Sequence, residues 1–201
     1  ALNQKAIARR YAAEHGTRYE DLDLIVCHLG GGISVAVHRH GRAVDANNAL
    51  DGEGPFSPER AGTLPAGQLI DLCFSGKFTK DELKKRISGR AGLTVHLGTT
   101  DIPAIIQSIE AGDDHARLVL DAMIYNVAKS IGAASTVLCG KVDAILLTGG
   151  IAYSDYVISR LRERISFLAP VFVYPGEDEM EALALNALGA LRGELPVQVY
   201  Q

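Results

Sequence analysis

"HLGGGISV", residues 28–35, joins one apolar run to another through three consecutive glycines. Glycine is costly inside a strand, because it loses backbone entropy and packs no side chain. Either Gly30, Gly31 and Gly32 only turn the chain, or a ligand must come closer to the backbone than a Cβ permits. Before the glycines, "LDLIVCHLG" (22–30) is the short apolar run of a buried strand. After them, "ISVAVHRHGRAVDAN" (33–47) holds two short strands around a turn at His40–Gly41. Ser34, Ala36 and His38 alternate there with Ile33, Val35 and Val37, a period of two. The pattern predicts an antiparallel three-stranded meander.

Outward from the meander, residues 47–67 are rich in Gly, Pro, Asn and acids. A structureless loop of this length is usually functional, and one of Asn47, Asn48, Asp51 and Glu53 is expected near a cleft. A helical section follows. Leu69 to Ser75 reads as one helix. Thr79 opens a capping box for a second that ends near Gly89. Asp101 caps a third, with Pro103 in its first turn and Gly112 as its stop. Residues 113–139 form a long helix with Leu120, Ile124, Val127, Ile131, Ala134 and Leu138 on one stripe. Gly132 in that helix predicts close packing. "VDAILLTGGIAYSD" (142–155) is a buried strand ending in two glycines, followed by a helix over 156–168. "PVFVYPGEDE" is the last strand, and residues 179–192 the last helix. The fold class is α/β: a mixed sheet, antiparallel meander plus parallel strands, flanked by helices.

The chain has 201 residues, 47% hydrophobic and 22% charged, with a net charge of −4. This is a globular composition, with no electrostatic reason to expect nucleic acid or an anionic membrane as partner. No apolar run approaches the ~20 residues of a membrane span. Cys27, Cys73 and Cys139 form no metal pattern. Cys27 and Cys139 sit in apolar stretches and are expected as buried thiols, in a reducing cytoplasm. "ALNQKAIARRYAAEHG" (1–16) reads as a helix already under way, with Gly16 as its stop. A longer protein is expected around it.

The glycine run fits none of the simple nucleotide motifs. A phosphate-binding loop of the GxxxxGK[ST] type and a dinucleotide GxGxxG both open a helix, whereas β-branched residues follow here. An esterase oxyanion loop would need a GxSxG elbow, which the sequence lacks. What remains is a hairpin turn, whose successive N–H groups can form an anion-binding nest. "LLTGGIA" (146–152) adds two glycines at the end of a buried strand, where open α/β sheets bind ligands. Close strand–helix packing would also explain that pair, but two glycine sites in one sheet favour a bound nucleotide.

The element order and these two motifs resemble one lobe of the actin-like ATPase superfamily, the ribonuclease-H-like fold. In that superfamily a hairpin glycine turn holds nucleotide phosphates, and a later strand–GG–helix motif holds the adenosine. "DANNALDGEGPFSPERAG" after "HLGGGISV", with "YPGEDEMEALA" near the end, is similar to the acetokinase family across essentially the whole chain. It resembles the butyrate-phosphorylating branch, since acetate-phosphorylating members have HLGNG and a GTRSG-type loop. The resemblance implies reversible phosphoryl transfer between ATP and a short-chain carboxylate, butyrate or a branched analogue. It implies ATP/ADP and Mg²⁺ as cofactors, and an acyl phosphate as product. The whole of 1–201 would be the carboxyl-terminal nucleotide-binding lobe of a two-lobed, homo-oligomeric kinase. Residues 1–16 would then be its connecting helix and 64–112 a helical insertion. An amino-terminal lobe would be the partner, and these residues alone would be inactive. A nucleotide-binding lobe without catalysis, or another kinase of the superfamily, is the alternative.

On that resemblance His28, Gly30, Gly31 and Gly32 surround the phosphates, and Gly149, Gly150 and Ile151 the adenosine. Arg60 in "PERAG" aligns with the active-site arginine. A planar guanidinium holds two equatorial oxygens of a metaphosphate-like transition state, which Lys cannot reproduce. Glu179 aligns with a magnesium-site glutamate, and a carboxylate is a fitting hard ligand. Glu177, Asp178 and Glu179 would also favour the last helix as charges at its start. His28 could donate to a phosphate oxygen or satisfy a backbone carbonyl. His38, His40 and His96 read as surface or strand polar groups.

Overall fold

The computed structural model describes residues 2–176 and 179–193, with only the helical backbone for 2, 179–182, 185 and 186. Helix α1 (Leu2–Glu14) leads into β1 (Asp23–Leu29), β2 (Ile33–Arg39) and β3 (Arg42–Ala46). The β2–β3 turn has φ of 48° at His40 and 76° at Gly41, the two left-handed residues that match strand twist in a tight hairpin. Helices α2 (Ala66–Phe74), α3 (Lys80–Ile87), α4 (Leu93–Leu97) and α5 (Ile102–Glu110) precede the long α6 (Asp114–Val137). Strand β4 (Ala144–Gly149), α7 (Asp155–Ile165), β5 (Val171–Pro175) and α8 (Glu179–Leu191) complete the order.

The sheet runs β3-β2-β1-β4-β5, antiparallel on the meander side and parallel from β1 through β4 to β5. Strand alternation divides its apolar residues between two layers. Ile25, Cys27, Leu29, Val35, Val37, Ile145 and Leu147 meet Leu120, Ile124, Val127 and Ile131 of α6 and Leu161 of α7. Leu24, Val26, Ala144 and Leu146 meet Ile7, Ala8, Tyr11 and Ala12 of α1 on the other face. The capping signals act as read. Thr79 and Glu82 form a reciprocal capping box, and Asp101 and Asp113 cap α5 and α6.

Several expectations need correction. Cys139 is exposed, because the chain leaves α6 in a left-handed turn there, with φ of 53°. Gly132 faces open space, so no neighbour requires its missing Cβ. His38 is fully buried: it points to the α1 face, where Nε2 donates to Gln4 Oε1 at 3.3 Å and Nδ1 accepts from the Tyr19 hydroxyl at 2.6 Å. Burial, reinforced by the Lys5 charge, lowers its pKa to about 4. Helix α4 has no apolar periodicity long enough to be read from sequence. Among the described residues, no helix is long and apolar enough to cross a membrane.

Candidate functional site

The glycine turn between β1 and β2 is clamped by the loop that follows β3. Gly30 donates its N–H to the Gly32 carbonyl at 3.3 Å. The Gly31 carbonyl accepts from Ser57 Oγ at 2.6 Å and from the Glu59 N–H at 3.1 Å. A Cβ on Gly31 would lie 3.0 Å from Glu59 Oε2, and one on Gly32 would collide with the Arg60 guanidinium. Two adjacent side chains of opposite charge therefore lie on two adjacent glycines. The missing Cβ atoms make room for them.

The loop is rigid at this point for backbone reasons. Ser57 N–H bonds the Arg60 carbonyl at 3.0 Å, Gly89 N–H bonds the Glu59 carbonyl at 2.8 Å, and Leu93 N–H bonds the Ser57 carbonyl at 3.2 Å. Gly92 has φ of 58°, and a Cβ there would strike the Ser57 and Arg60 carbonyls. The end of α3, the turn after it and the start of α4 thus hold the Arg60 loop in place.

The second glycine pair divides its work. Gly149 ends β4 with φ of 94° and ψ of 172°, a conformation open essentially only to glycine. A Cβ there would run into the Leu29 backbone. It also exchanges two hydrogen bonds with Gly176, both at 3.1 Å, tying the end of β4 to the end of β5. Gly150 meets nothing within 4 Å, and after it a 3-10 turn over Gly150–Tyr153 carries the chain to Ser154, which caps α7.

Between these parts lies a cleft of about 800 Å³. One wall is Gly30, Gly31, Pro58 and Glu59. A second is Gly150, Ile151 and Tyr153 with the start of α7. A third is one face of α5, Ile102, Ile106 and Glu110, with Asp101 at its cap. Of the residues singled out in sequence, Gly30, Gly31, Gly150 and Ile151 line this one cleft. Gly32 is covered by Arg60, and Gly149 packs inward. His28 lies on the α1 face, where Nδ1 meets Asn3 Nδ2 at 3.1 Å. Asn47, Asn48, Asp51 and Glu53 do not line this cleft. Asn47 instead staples the loop, accepting from Val35 N–H at 2.7 Å and donating to the Ile33 and Glu53 carbonyls. Sequence reading missed Glu59, Asp101 and the α5 wall. The spacing of Ile102, Ile106 and Glu110 was legible as a helix face, but nothing local says that the face borders the glycine turn.

Carboxylates of Glu59, Asp101, Glu110 and Asp155 border the cleft. Among the described residues no three His, Cys, Asp or Glu side chains converge as metal donors. That donor set fits a divalent ion held mainly by phosphate oxygens and water, with Glu59 the described carboxylate beside the glycine turn. The Glu179 side chain, like Glu177 and Asp178, lies outside the described residues.

A mixed sheet with a glycine hairpin and a strand–GG–helix turn on one cleft is the actin-like ATPase fold. Residues 3–169 match the acetokinase family model, and the chain belongs to the acetokinase family. It is 83% identical over 201 residues to a probable butyrate kinase from Bacteroides thetaiotaomicron and 60% identical to one from Phocaeicola vulgatus. In both cases all of this chain is covered but only 57% of the relative, so the chain spans little more than half their length. The crystal structure of Porphyromonas gingivalis acetate kinase superposes with a TM-score of 0.86 at 21% identity, covering 94% of this chain and 54% of that one.

Proposed function

We propose that the protein containing this chain transfers the γ-phosphoryl group of ATP to a short-chain carboxylate, butyrate or a branched analogue, reversibly giving an acyl phosphate and ADP. The observation that carries this is the single cleft shared by Gly30 and Gly31 with Gly150 and Ile151. Its volume suits a bound small molecule, and its two glycine sites offer phosphate and nucleoside contacts at opposite walls. The similarity to probable butyrate kinases supports the acyl class.

On this reading the glycine turn lets phosphate oxygens approach the backbone N–H groups, and His28 flanks it. Gly149 shapes the turn that presents Gly150 and Ile151 to the nucleoside. Ile102, Ile106 and Tyr153 supply apolar walls for the base, and Asp101 a hydroxyl acceptor for the sugar. Arg60, seated on Gly32, swings its guanidinium to the transferred group and spreads charge over its equatorial oxygens. Glu59 and Glu179 are the carboxylates that would hold a magnesium ion through its waters, and the ion would supply positive charge against the phosphates. The acceptor carboxylate is already ionised, so no general base is required. Residues 1–16 serve as the connecting helix and 64–112 as the insertion that braces the Arg60 loop. The enzyme works as a cytoplasmic homo-oligomer, and residues 1–201 alone bind nucleotide without turning it over.

The test is ATP-dependent acyl phosphate formation, trapped as hydroxamate, by the full-length protein across straight and branched C2–C6 acids. Turnover favouring C4 and branched acids is expected. No acyl phosphate from any acid, with ATP bound, would overturn the reading.

A further inference from the structure

Two consecutive residues of α1 grip the two sides of the glycine turn. His28 and Ser34 are direct partners in the β1–β2 register, two positions before Gly30 and two after Gly32. Asn3 Nδ2 meets His28 Nδ1 at 3.1 Å, and Gln4 Nε2 donates to Ser34 Oγ at 3.1 Å. Both amides are buried, Asn3 at 5% and Gln4 at 7% exposure. Gln4 spends its other end on His38. Asn3 does not: its Oδ1 is buried without a hydrogen-bond partner. A buried amide that leaves its acceptor unsatisfied while aiming its donor at one ring nitrogen is doing something a packing residue need not do.

We infer that Asn3 is a positioning residue that fixes which nitrogen of His28 carries the ring proton. An amide NH₂ can only donate, so the Nδ1 it meets must present a lone pair. The proton of the neutral imidazole then resides on Nε2, and the ring keeps a donor on that side. The hydrogen bond also sets the ring plane, because Nδ1 accepts in that plane alone. Sequence alone shows a His before a glycine turn; the helix far upstream decides its tautomer. The inference rests on the reading that this turn carries nucleotide phosphate, where a neutral N–H donor serves and a bare nitrogen lone pair would repel.

An Asp at position 3 has the same shape and only acceptors. It therefore forces the proton onto Nδ1, as a second tautomer or as an imidazolium. The experiment is long-range ¹H–¹⁵N spectroscopy of the full-length, ¹⁵N-histidine-labelled protein, with His28→Gln to assign the ring. Wild type is expected to show the proton on Nε2, and Asn3→Asp to show it on Nδ1. Gln4→Ala, which disturbs the same helical turn without touching His28, is expected to leave the ring pattern as in wild type. A wild-type proton on Nδ1, or an unchanged ring in Asn3→Asp, overturns the inference. ATP titration of the same proteins separates the underlying reading. A Kd raised about tenfold or more in Asn3→Asp supports both. The expected change of tautomer with unaltered ATP affinity supports Asn3 as the positioning residue and overturns the phosphate role of His28.

Discussion

The guanidinium of Arg60 lies where a Cβ of Gly32 would be. The glycine and the arginine are 28 positions apart, yet neither makes sense in its place without the other. Gly32 has no left-handed φ that demands glycine. Its small size is needed for the neighbour. Because the obstructing atoms are the far end of a flexible side chain, Gly32→Ala is expected to change unfolding free energy by less than about 1 kcal/mol. Arg60 would have to move. Turnover of the full-length protein is expected to fall on the order of 10²-fold or more, with Arg60→Ala losing ~10³-fold or more. Hydroxamate assays beside urea unfolding check both. A Gly32→Ala enzyme as active as wild type would show that the seat on the glycine is not needed.

Gly149 and Gly150 are adjacent and are expected to behave oppositely. Gly149→Ala meets the Leu29 backbone and a forbidden φ, so it is expected to cost about 2–4 kcal/mol in chemical denaturation. Gly150→Ala meets nothing, so its stability stays within about 0.5 kcal/mol, while its methyl group enters the cleft and weakens nucleotide binding. Isothermal titration with ATP measures the second effect.

Asp101 both caps α5, accepting from the Ala104 N–H at 3.2 Å, and borders the cleft. The two roles separate by chemistry. Asn caps a helix as well as Asp, whereas Ala costs about 1 kcal/mol. Asp101→Asn is therefore expected to keep thermal stability and raise the Kd for ATP. Equal ATP affinity in Asp101→Asn would leave the residue only its capping role.

His38 makes stability depend on pH. Its folded pKa is lowered to about 4, from 6.5 in the unfolded chain, mainly by burial. As pH falls, the unfolded chain takes up the proton first. The stability present above about pH 6.5 is therefore lost between 6.5 and 4, on the order of 3 kcal/mol in all. Urea unfolding at pH 7 and 5 is expected to show the loss, and His38→Leu to flatten that part of the profile. An equal pH slope in His38→Leu would assign the effect to other groups.

Much of the architecture is written in local patterns. Alternation in 33–39 marks β2, the apolar runs mark β1 and β4, and Asp101, Asp113 and Thr79 mark helix starts with side chains that bond within a few residues. These signals are legible because the physics that uses them is local. The glycine motifs were also visible as chemistry, as bare backbone at strand ends. What sequence could not show is which distant pieces meet. Only the folded sheet brings Gly30 and Gly31 to face Gly150 and Ile151 across one cleft, and makes one face of α5 its third wall. Only tertiary packing buries His38 and seats Arg60 on Gly32 and Asn3 against His28. Those outcomes depend on contacts between residues far apart in the chain, and their cost or gain is settled by burial and close approach, which no periodicity records.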